Sequence, residues 1–419
     1  TIGVDLRILQ IGHQYRGIGS HIVSLFKEFN KLDKDDLPSF VFFEHKNVDS
    51  GIKIIGKHLE NIDYEVRYTN DRLIGETYLQ REWSSFKQRY IDGDAGLGDL
   101  SGIDTLLCID FNLGVPRKNK VRSVIISYDM IPWVLSEYYL PNFKQTYKRT
   151  SDIKRALKAP IEKYLYFQKF KQANRRADKI IAISEHTKKD IIKYIGIKPE
   201  KIYTVLLGID NEHRPVKNKH IINCVNTDNN KVSFDTKKSK YIFFMGGADR
   251  RRRIEDIVRA LENITQEKHE LYLILAGYDF KDFSSLHDEI TKDAIQKSTT
   301  QSKILFCGFI SNDERDSLFR NAVAFIFPSI YEGFGLPILE SMQLDCPVIT
   351  YNNSSIVEVG GKKGVLYAKN SDDIARKVSL IMNDKATRET LIRNGRLQLS
   401  KFNWKRTATE TLKVLKNKS

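Results

Sequence analysis

Short apolar runs recur along the chain, bounded by glycine, proline and polar clusters, and between them lie longer stretches in which apolar residues return every third or fourth position. The first pattern is that of a strand buried on both faces, and the second that of an amphipathic helix. Residues 2–11 open the series as a strand, followed by a glycine-containing loop and a helix over 22–32. Further strands are predicted at 40–43, 105–109, 124–127 and 179–183, and a second set at 241–245, 271–276, 303–307, 322–327 and 348–350. Strands alternating with helices predict an α/β fold with parallel sheets covered on both faces. Residues 211–240, rich in Lys, Asn and Asp and without clear periodicity, mark a linker between two doubly wound domains, 1–210 and 241–400. Such domains bind ligands at the carboxyl ends of their strands, here expected to face a cleft.

The chain of 419 residues is long enough for two cores, and 41% hydrophobic with 29% charged residues excludes wholesale disorder. No apolar run approaches the roughly 20 residues that span a bilayer, and the first segment carries charge and lacks a cleavage site for a secretory signal. Cys108, Cys224, Cys307 and Cys346 lie far apart, which suggests neither a zinc site nor a disulfide framework and points to a reducing cytoplasm.

The net charge of +15 favours an anionic partner. Residues 141–176 hold eleven basic residues and two acidic ones, interleaved with Tyr139, Phe143, Tyr147, Tyr164, Tyr166, Phe167 and Phe170. Two readings stand: a solvated helical face, or peripheral contact with an anionic membrane, whose interface aromatics favour. Nucleic acid is not expected, because no helix-turn-helix, zinc-finger or RNP-like pattern accompanies the charge.

The most informative stretch is Phe327-Pro-Ser-Ile-Tyr-Glu-Gly-Phe-Gly-Leu-Pro-Ile-Leu-Glu-Ser-Met342. It follows an apolar strand, turns through Gly333 and Gly335, and opens a helix with Pro337 in its first turn, where proline is tolerated. A glycine-lined helix N-terminus is a seat for a diphosphate. Glu332 precedes this helix and Glu340 lies about a turn inside it, so the two carboxylates are placed to serve opposite ends of one extended ligand. Each is able to accept two sugar hydroxyls. Upstream, Gly246-Gly247 precede four arginines at 250–253, whose planar forks suit phosphate oxygens and stabilise charge developing on a departing diphosphate.

Tyr331-Glu-Gly-Phe-Gly-Leu-Pro-Ile-Leu-Glu340 resembles the E-x7-E signature of the GT4-type family of GT-B fold retaining glycosyltransferases. Ala177-Asp-Lys-Ile-Ile-Ala-Ile-Ser184, Lys198-Pro-Glu-Lys-Ile202, Gly208-Ile-Asp210 and Phe402-Asn-Trp404 resemble further family segments in order and spacing. The resemblance covers nearly the whole chain. It implies the GT-B fold of two Rossmann-like domains, with residues 401–419 as a final helix returning to the N-terminal domain. It also implies transfer, with retention, of a sugar from a nucleotide diphosphate donor to a glycan or lipid-linked acceptor, without a metal or other cofactor.

By that resemblance the donor site comprises Gly17, Gly19, Ser184, Gly246, Gly247, Arg251, Arg252, Phe309, Ile310, Glu332, Gly333, Phe334, Gly335, Leu336 and Glu340. Within it Glu332 takes sugar hydroxyls, Glu340 the ribose, Arg251 and Arg252 the diphosphate, and the segment 306–310 the base. Ser127-Tyr-Asp-Met-Ile-Pro132 resembles the family's His-Asp-Leu-Ile-Pro element with Tyr128 in place of histidine. Asp110, Tyr128 and Asp129 are therefore expected on the acceptor side, and Glu332, Arg252 and Asp129 as the catalytic groups. With the cytoplasm that the cysteines suggest, the basic segment 141–176 is expected to associate the enzyme with the inner face of the membrane if the acceptor is lipid-linked. An inactive partner of another transferase and a nucleotide-sugar epimerase are the alternative readings; retention of Glu332, Glu340 and the arginines argues against the former.

Overall fold

Runs of apolar residues too short for helices form strands buried on both faces, as the pattern requires. The structure, a computed structural model, describes residues 1–10, 17–46, 49–69, 94–117, 120–210, 219–266 and 270–417, apart from the side chains of 148–150 and 266. It divides into two units, Thr1–Gly208 with Asn403–Ser419, and Ile209–Phe402. Among the described residues, no helix is long and apolar enough to cross a membrane.

The first unit holds β1 (Ile2–Asp5), β2 (Phe40–Glu44), β3 (Tyr64–Tyr68), β4 (Thr105–Cys108), β5 (Arg122–Ser127), β6 (Lys179–Ala182) and β7 (Ile202–Thr204). They form one parallel sheet in the order β3-β2-β1-β4-β5-β6-β7, so the strand order reverses between β1 and β4. The strand expected over 2–11 stops at Asp5. Arg7, fully buried, turns back to donate to both Asp5 carboxylate oxygens at 2.8 and 2.7 Å, and the chain continues as the 3-10 turn Leu6–Gln10. The charge inside the apolar run is thus neutralised by local pairing.

Helix α1 (Gly17–Phe29) buries a stripe of His21, Ile22, Leu25, Phe26 and Phe29. Gly17 and Gly19, expected in a loop, are first-turn residues of this helix; Arg16 lies outside the described residues. Helix α2 (Phe143–Thr150) begins with an Asn142–Gln145 capping box and packs against α3 (Ile153–Arg176), which Asp152 caps. Helix α4 (Glu185–Asp190) follows β6.

The second unit holds β8 (Ile221–Val225), β9 (Lys231–Asp235), β10 (Tyr241–Met245), β11 (Tyr272–Ala276), β12 (Ile304–Gly308), β13 (Ala324–Phe327), β14 (Val348–Tyr351) and β15 (Leu366–Ala368), ordered β15-β14-β13-β10-β11-β12-β8-β9. Six strands run parallel, and β8 and β9 are an antiparallel hairpin at the edge. Residues 211–240 are therefore not a linker as expected: the unit boundary falls at Gly208 and Ile209, and 221–235 belong to the second sheet. The hairpin was hidden because it buries one face only: Ile222, Cys224 and Phe234 point inward, while Ile221, Asn223 and Ser233 beside them are exposed. Residues 211–218 lie outside the described set.

Helices α5 (Ile254–Gln266), α6 (Asn312–Asn321) and α7 (Leu336–Gln343) follow β10, β12 and β13. Helix α8 (Trp404–Lys416), capped by Asn403, belongs to the first unit and packs on α1, β4 and β6. Gly208 makes that seat possible, since a Cβ there would collide with the Trp404 backbone.

Candidate active site

In the second unit β11, β10, β13 and β14 are successive parallel neighbours, so the loops at their carboxyl ends lie side by side. After β10 the chain turns through Gly246 at φ 155° and forms the one-turn 3-10 helix Arg250–Arg252. The adjoining loop crosses in contact: a Cβ on Gly277, at φ 139°, would collide with the Gly246 carbonyl oxygen. Only glycine fits there. Asp279 then accepts from the Ala248 N–H at 2.9 Å.

The four arginines part company. Arg253, in a left-handed conformation, is committed to Glu255 and Asp256 at 3.1 and 2.9 Å, and Arg250 faces Asp288 at 4.0 Å. Arg251 and Arg252 turn to Glu332, with ion-pair distances of 3.5 and 3.2 Å. The Arg252 guanidinium also sits over the Phe327 ring at 4.8 Å, and Arg251 pairs with Asp249 at 2.7 Å. The Ile330 N–H donates to the Arg251 carbonyl at 2.9 Å, locking the two loops together.

Glu332 is buried, and its Oε1 accepts from the Ser329 hydroxyl at 2.7 Å. Its backbone is held from β14's loop: the Glu332 N–H donates to Ser354 at 3.0 Å, and Ser355 donates to the carbonyls of Glu332 and Phe334 at 2.8 and 2.9 Å. Asn353 donates to the Ser329 carbonyl at 2.9 Å. Residues 353–355 were missed by sequence reasoning; polar residues just after a strand that neighbours the signature loop were the available signal. Gly333 and Phe334 are buried, Gly335 takes φ 111° as the N-cap of α7, no side chain caps that helix, and Leu336 is its partly exposed first residue. Gly247 is likewise half-buried.

Glu340 stands apart from this cluster. It pairs with Arg315 of α6 at 3.5 Å, so the two glutamates belong to different charge groups. Burial pushes the Glu340 carboxyl above its usual range, and the Arg315 guanidinium partly offsets that. Next to α6, Gly308 takes φ 58° and Phe309 is 84% exposed, with Ile310 half-buried behind it. On the neighbouring loop Tyr278 is 86% exposed, and the two loops are joined by the Gly277 N–H donating to the Gly308 carbonyl at 2.8 Å. Tyr278 was not foreseen; an aromatic right after the strand's closing glycine was its only trace.

In the first unit, Asp110 at the end of β4 accepts from Asn112 N–H at 2.6 Å, and Asp129 after β5 accepts from Ile131 N–H at 2.9 Å. Tyr128 lies between them in sequence order, and burial followed by the Asp110 carboxylate holds its phenol well above the ordinary range. Tyr166 of α3 is raised in the same way, by burial, Asp129 and Asp110. Asp110, Tyr128 and Asp129 are thus brought together, joined by the unforeseen Tyr166 and by His21 of α1, whose Nδ1 is 3.0 Å from the Tyr128 oxygen. Ser184 is fully buried, donates to Thr187 Oγ1 and caps α4, so it supports the fold rather than presenting a hydroxyl to a ligand.

The same fold occurs in Anabaena HepE crystallised with UDP and glucose (TM-score 0.61, 14% identity, covering 99% of this chain and 98% of that one) and in sucrose-phosphate synthase from Thermosynechococcus elongatus (TM-score 0.65, 15% identity, 99% and 97%). It is the GT-B architecture of two parallel-sheet α/β domains. Residues 226–398 match the family model of glycosyl transferases group 1 and residues 137–213 that of glycosyltransferase family 4, together more than half of the chain. The chain belongs to this GT4-type family of group 1 glycosyltransferases. The O-antigen chain mannosyltransferase B of Escherichia coli is 26% identical over 57% of this chain and 60% of its own length. This chain spans between 32% and 64% of such curated relatives.

Proposed function

We propose that this chain is a metal-independent, retaining glycosyltransferase that moves a hexose from a nucleoside diphosphate donor to a hydroxyl of a glycan or lipid-linked acceptor. The observation that carries the reading is the convergence of Arg251, Arg252 and Glu332 on glycine-lined loops at the ends of β10 and β13. Mannose is the first sugar to test, because relatives are named mannosyltransferases. The diphosphate lies against the two guanidiniums, with Glu332 holding them and reaching sugar hydroxyls, and Glu340 accepting from the ribose. Phe309 and Tyr278 give the base apolar faces.

As the bond from the anomeric carbon to the phosphate oxygen breaks, charge grows on the diphosphate where the fixed cations stabilise it. The acceptor oxygen bonds to the same face, and its proton passes to the departing phosphate. Asp129 and Tyr128 orient the acceptor. The test is incubation of GDP-mannose and UDP-glucose with mannoside acceptors, with and without EDTA, and NMR of the product's anomeric configuration. Inversion, or activity only with added divalent ions, refutes that part of the reading.

We further infer peripheral contact with anionic membrane at the inner, cytoplasmic face. On α3, Ile153, Leu157, Ile161 and Tyr164 are 58–62% exposed and recur at helical spacing, forming one apolar stripe. On α2, Phe143 and Tyr147 stack at 6.2 Å and are also exposed. Lys144, Lys154, Arg155 and Lys158, all exposed, flank them. Three other expected interface aromatics turn inward: Phe170 packs on Phe111 at 4.9 Å, Phe167 on Trp133 at 4.3 Å, and Tyr166 joins the acidic cluster. Apolar residues rimmed by cations fit a headgroup interface, each cation adding about 1 kcal/mol near an anionic surface. Co-sedimentation with phosphatidylglycerol vesicles should fall with salt and vanish when the four cations become Glu, while donor hydrolysis survives. Equal binding to phosphatidylcholine vesicles, or none to either, overturns it.

A further inference from the structure

The half-buried phenol of Tyr128 has one hydrogen-bond partner among the described residues, and that partner is the buried His21. His21 is 1% exposed, its Nδ1 lies 3.0 Å from the Tyr128 oxygen, and its buried Nε2 has no hydrogen-bond partner among the described residues. The ring is stacked on Trp404 of α8 at 5.7 Å and meets the Tyr128 ring edge-on at 5.7 Å. These contacts lock its plane, and all lie within the first unit. Burial also pushes the imidazole down to about 3, so it is neutral and carries a single N–H.

That one proton has two places to go. On Nε2 it would be a buried donor facing no acceptor, a rare arrangement in folded proteins. On Nδ1 it donates to the Tyr128 oxygen, and only a bare lone pair is left facing the apolar surroundings. We propose that His21 is a positioning residue that donates from Nδ1 to Tyr128, so that the tyrosine's own O–H is directed away from His21 to donate to an oxygen of the acceptor or transferred sugar. The phenol suits that task because burial and the Asp110 carboxylate keep it protonated. Sequence alone placed a tyrosine in the acceptor-side motif; the fold adds the imidazole that fixes which way its proton points. The proposal rests on the glycosyl-transfer reading above only for the identity of the ligand.

The pair is tested first without turnover. In protein labelled with 15N-histidine, long-range proton–nitrogen correlation should show His21 protonated at Nδ1 at pH 7 and unchanged down to pH 5. An Nε2-protonated or titrating ring overturns the proposal. With the donor and acceptor that the wild type turns over best, Tyr128→Phe and His21→Leu should each lower kcat roughly tenfold, the loss expected for one hydrogen bond. The double variant should be no worse than either single one, and GDP affinity should not change. His21→Asn, whose amide N–H takes the place of Nδ1, should retain most of the rate. Additive losses, or full activity in His21→Leu, overturn the assignment. A wild type that transfers nothing would refute the functional reading, while the tautomer measurement still decides the pair.

Discussion

The loop after β13 in the second unit and the acidic cluster after β4 and β5 in the first are both polar sites at strand ends, yet they are built in opposite ways. The former is one contiguous stretch, its backbone clamped by the Arg251 carbonyl and the Ser354 and Ser355 hydroxyls, and its buried glutamate by two guanidiniums. The latter draws Asp110, the adjacent Tyr128 and Asp129, Tyr166 and His21 from four separate segments, and its carboxylates also serve as local turn caps. In the proposed function the former holds a diphosphate and benefits from fixed cations and backbone, because preorganised charge costs no rearrangement during reaction. A site assembled from scattered side chains is altered one residue at a time, which suits the side of the reaction on which acceptors differ.

If that division is right, the largest effect belongs to Arg252→Ala. Loss of a cation at the leaving diphosphate should lower kcat/KM by ~10²–10³-fold, and GDP affinity should fall with it. Asp129→Asn should slow transfer while isothermal titration finds GDP affinity unchanged. Equal effects of both variants on GDP binding would erase the distinction.

Next comes Gly277→Ala. Its new methyl meets the Gly246 carbonyl at a backbone conformation that only glycine adopts readily. The expected cost is about 3 kcal/mol, as for other forced overpacking, read as a lower denaturant midpoint. Normal stability would mean that the two loops shift apart easily.

Glu340→Ala should raise the donor KM about tenfold with kcat nearly constant, since a ribose contact persists through the transition state. A collapsed kcat with unchanged KM would instead move Glu340 into the chemistry.

The smallest effect is a pH dependence. Because Glu340's carboxyl is raised by burial, its ionised form is lost at a higher pH than in an ordinary glutamate. Donor KM should therefore climb as pH falls through that raised value, and Arg315→Ala, which removes the offsetting cation, should move the climb to still higher pH. In stability the sign is reversed. The unfolded chain ionises first as pH rises, so Glu340 weakens the fold above its unfolded value, and Glu340→Gln should be slightly stabilising at neutral pH.

The inner strands of both parallel sheets were legible because burial on two faces leaves unbroken apolar runs, and Tyr241–Met245 has the predicted bounds; the edge strands β3, β7 and β15, only partly buried, were not predicted. The signature loop was legible because its glycines, proline and glutamates are neighbours in the chain. The edge hairpin Ile221–Val225 and Lys231–Asp235 was not, since one-sided burial mixes polar residues into the pattern. The family resemblance singled out Arg251 and Arg252, but nothing in a run of four identical charges showed that these two, rather than Arg250 and Arg253, turn to Glu332. Most of all, no spacing joins His21 to Tyr128 and Trp404, which come from near the start, the first third and the end of the chain. The sequence determined the kind of fold and the contiguous half of the site, since local pattern and turn chemistry suffice for those. Which side chains meet across elements was decided only when the sheets and the returning helix α8 were packed, because burial and pairing there depend on partners far away in sequence.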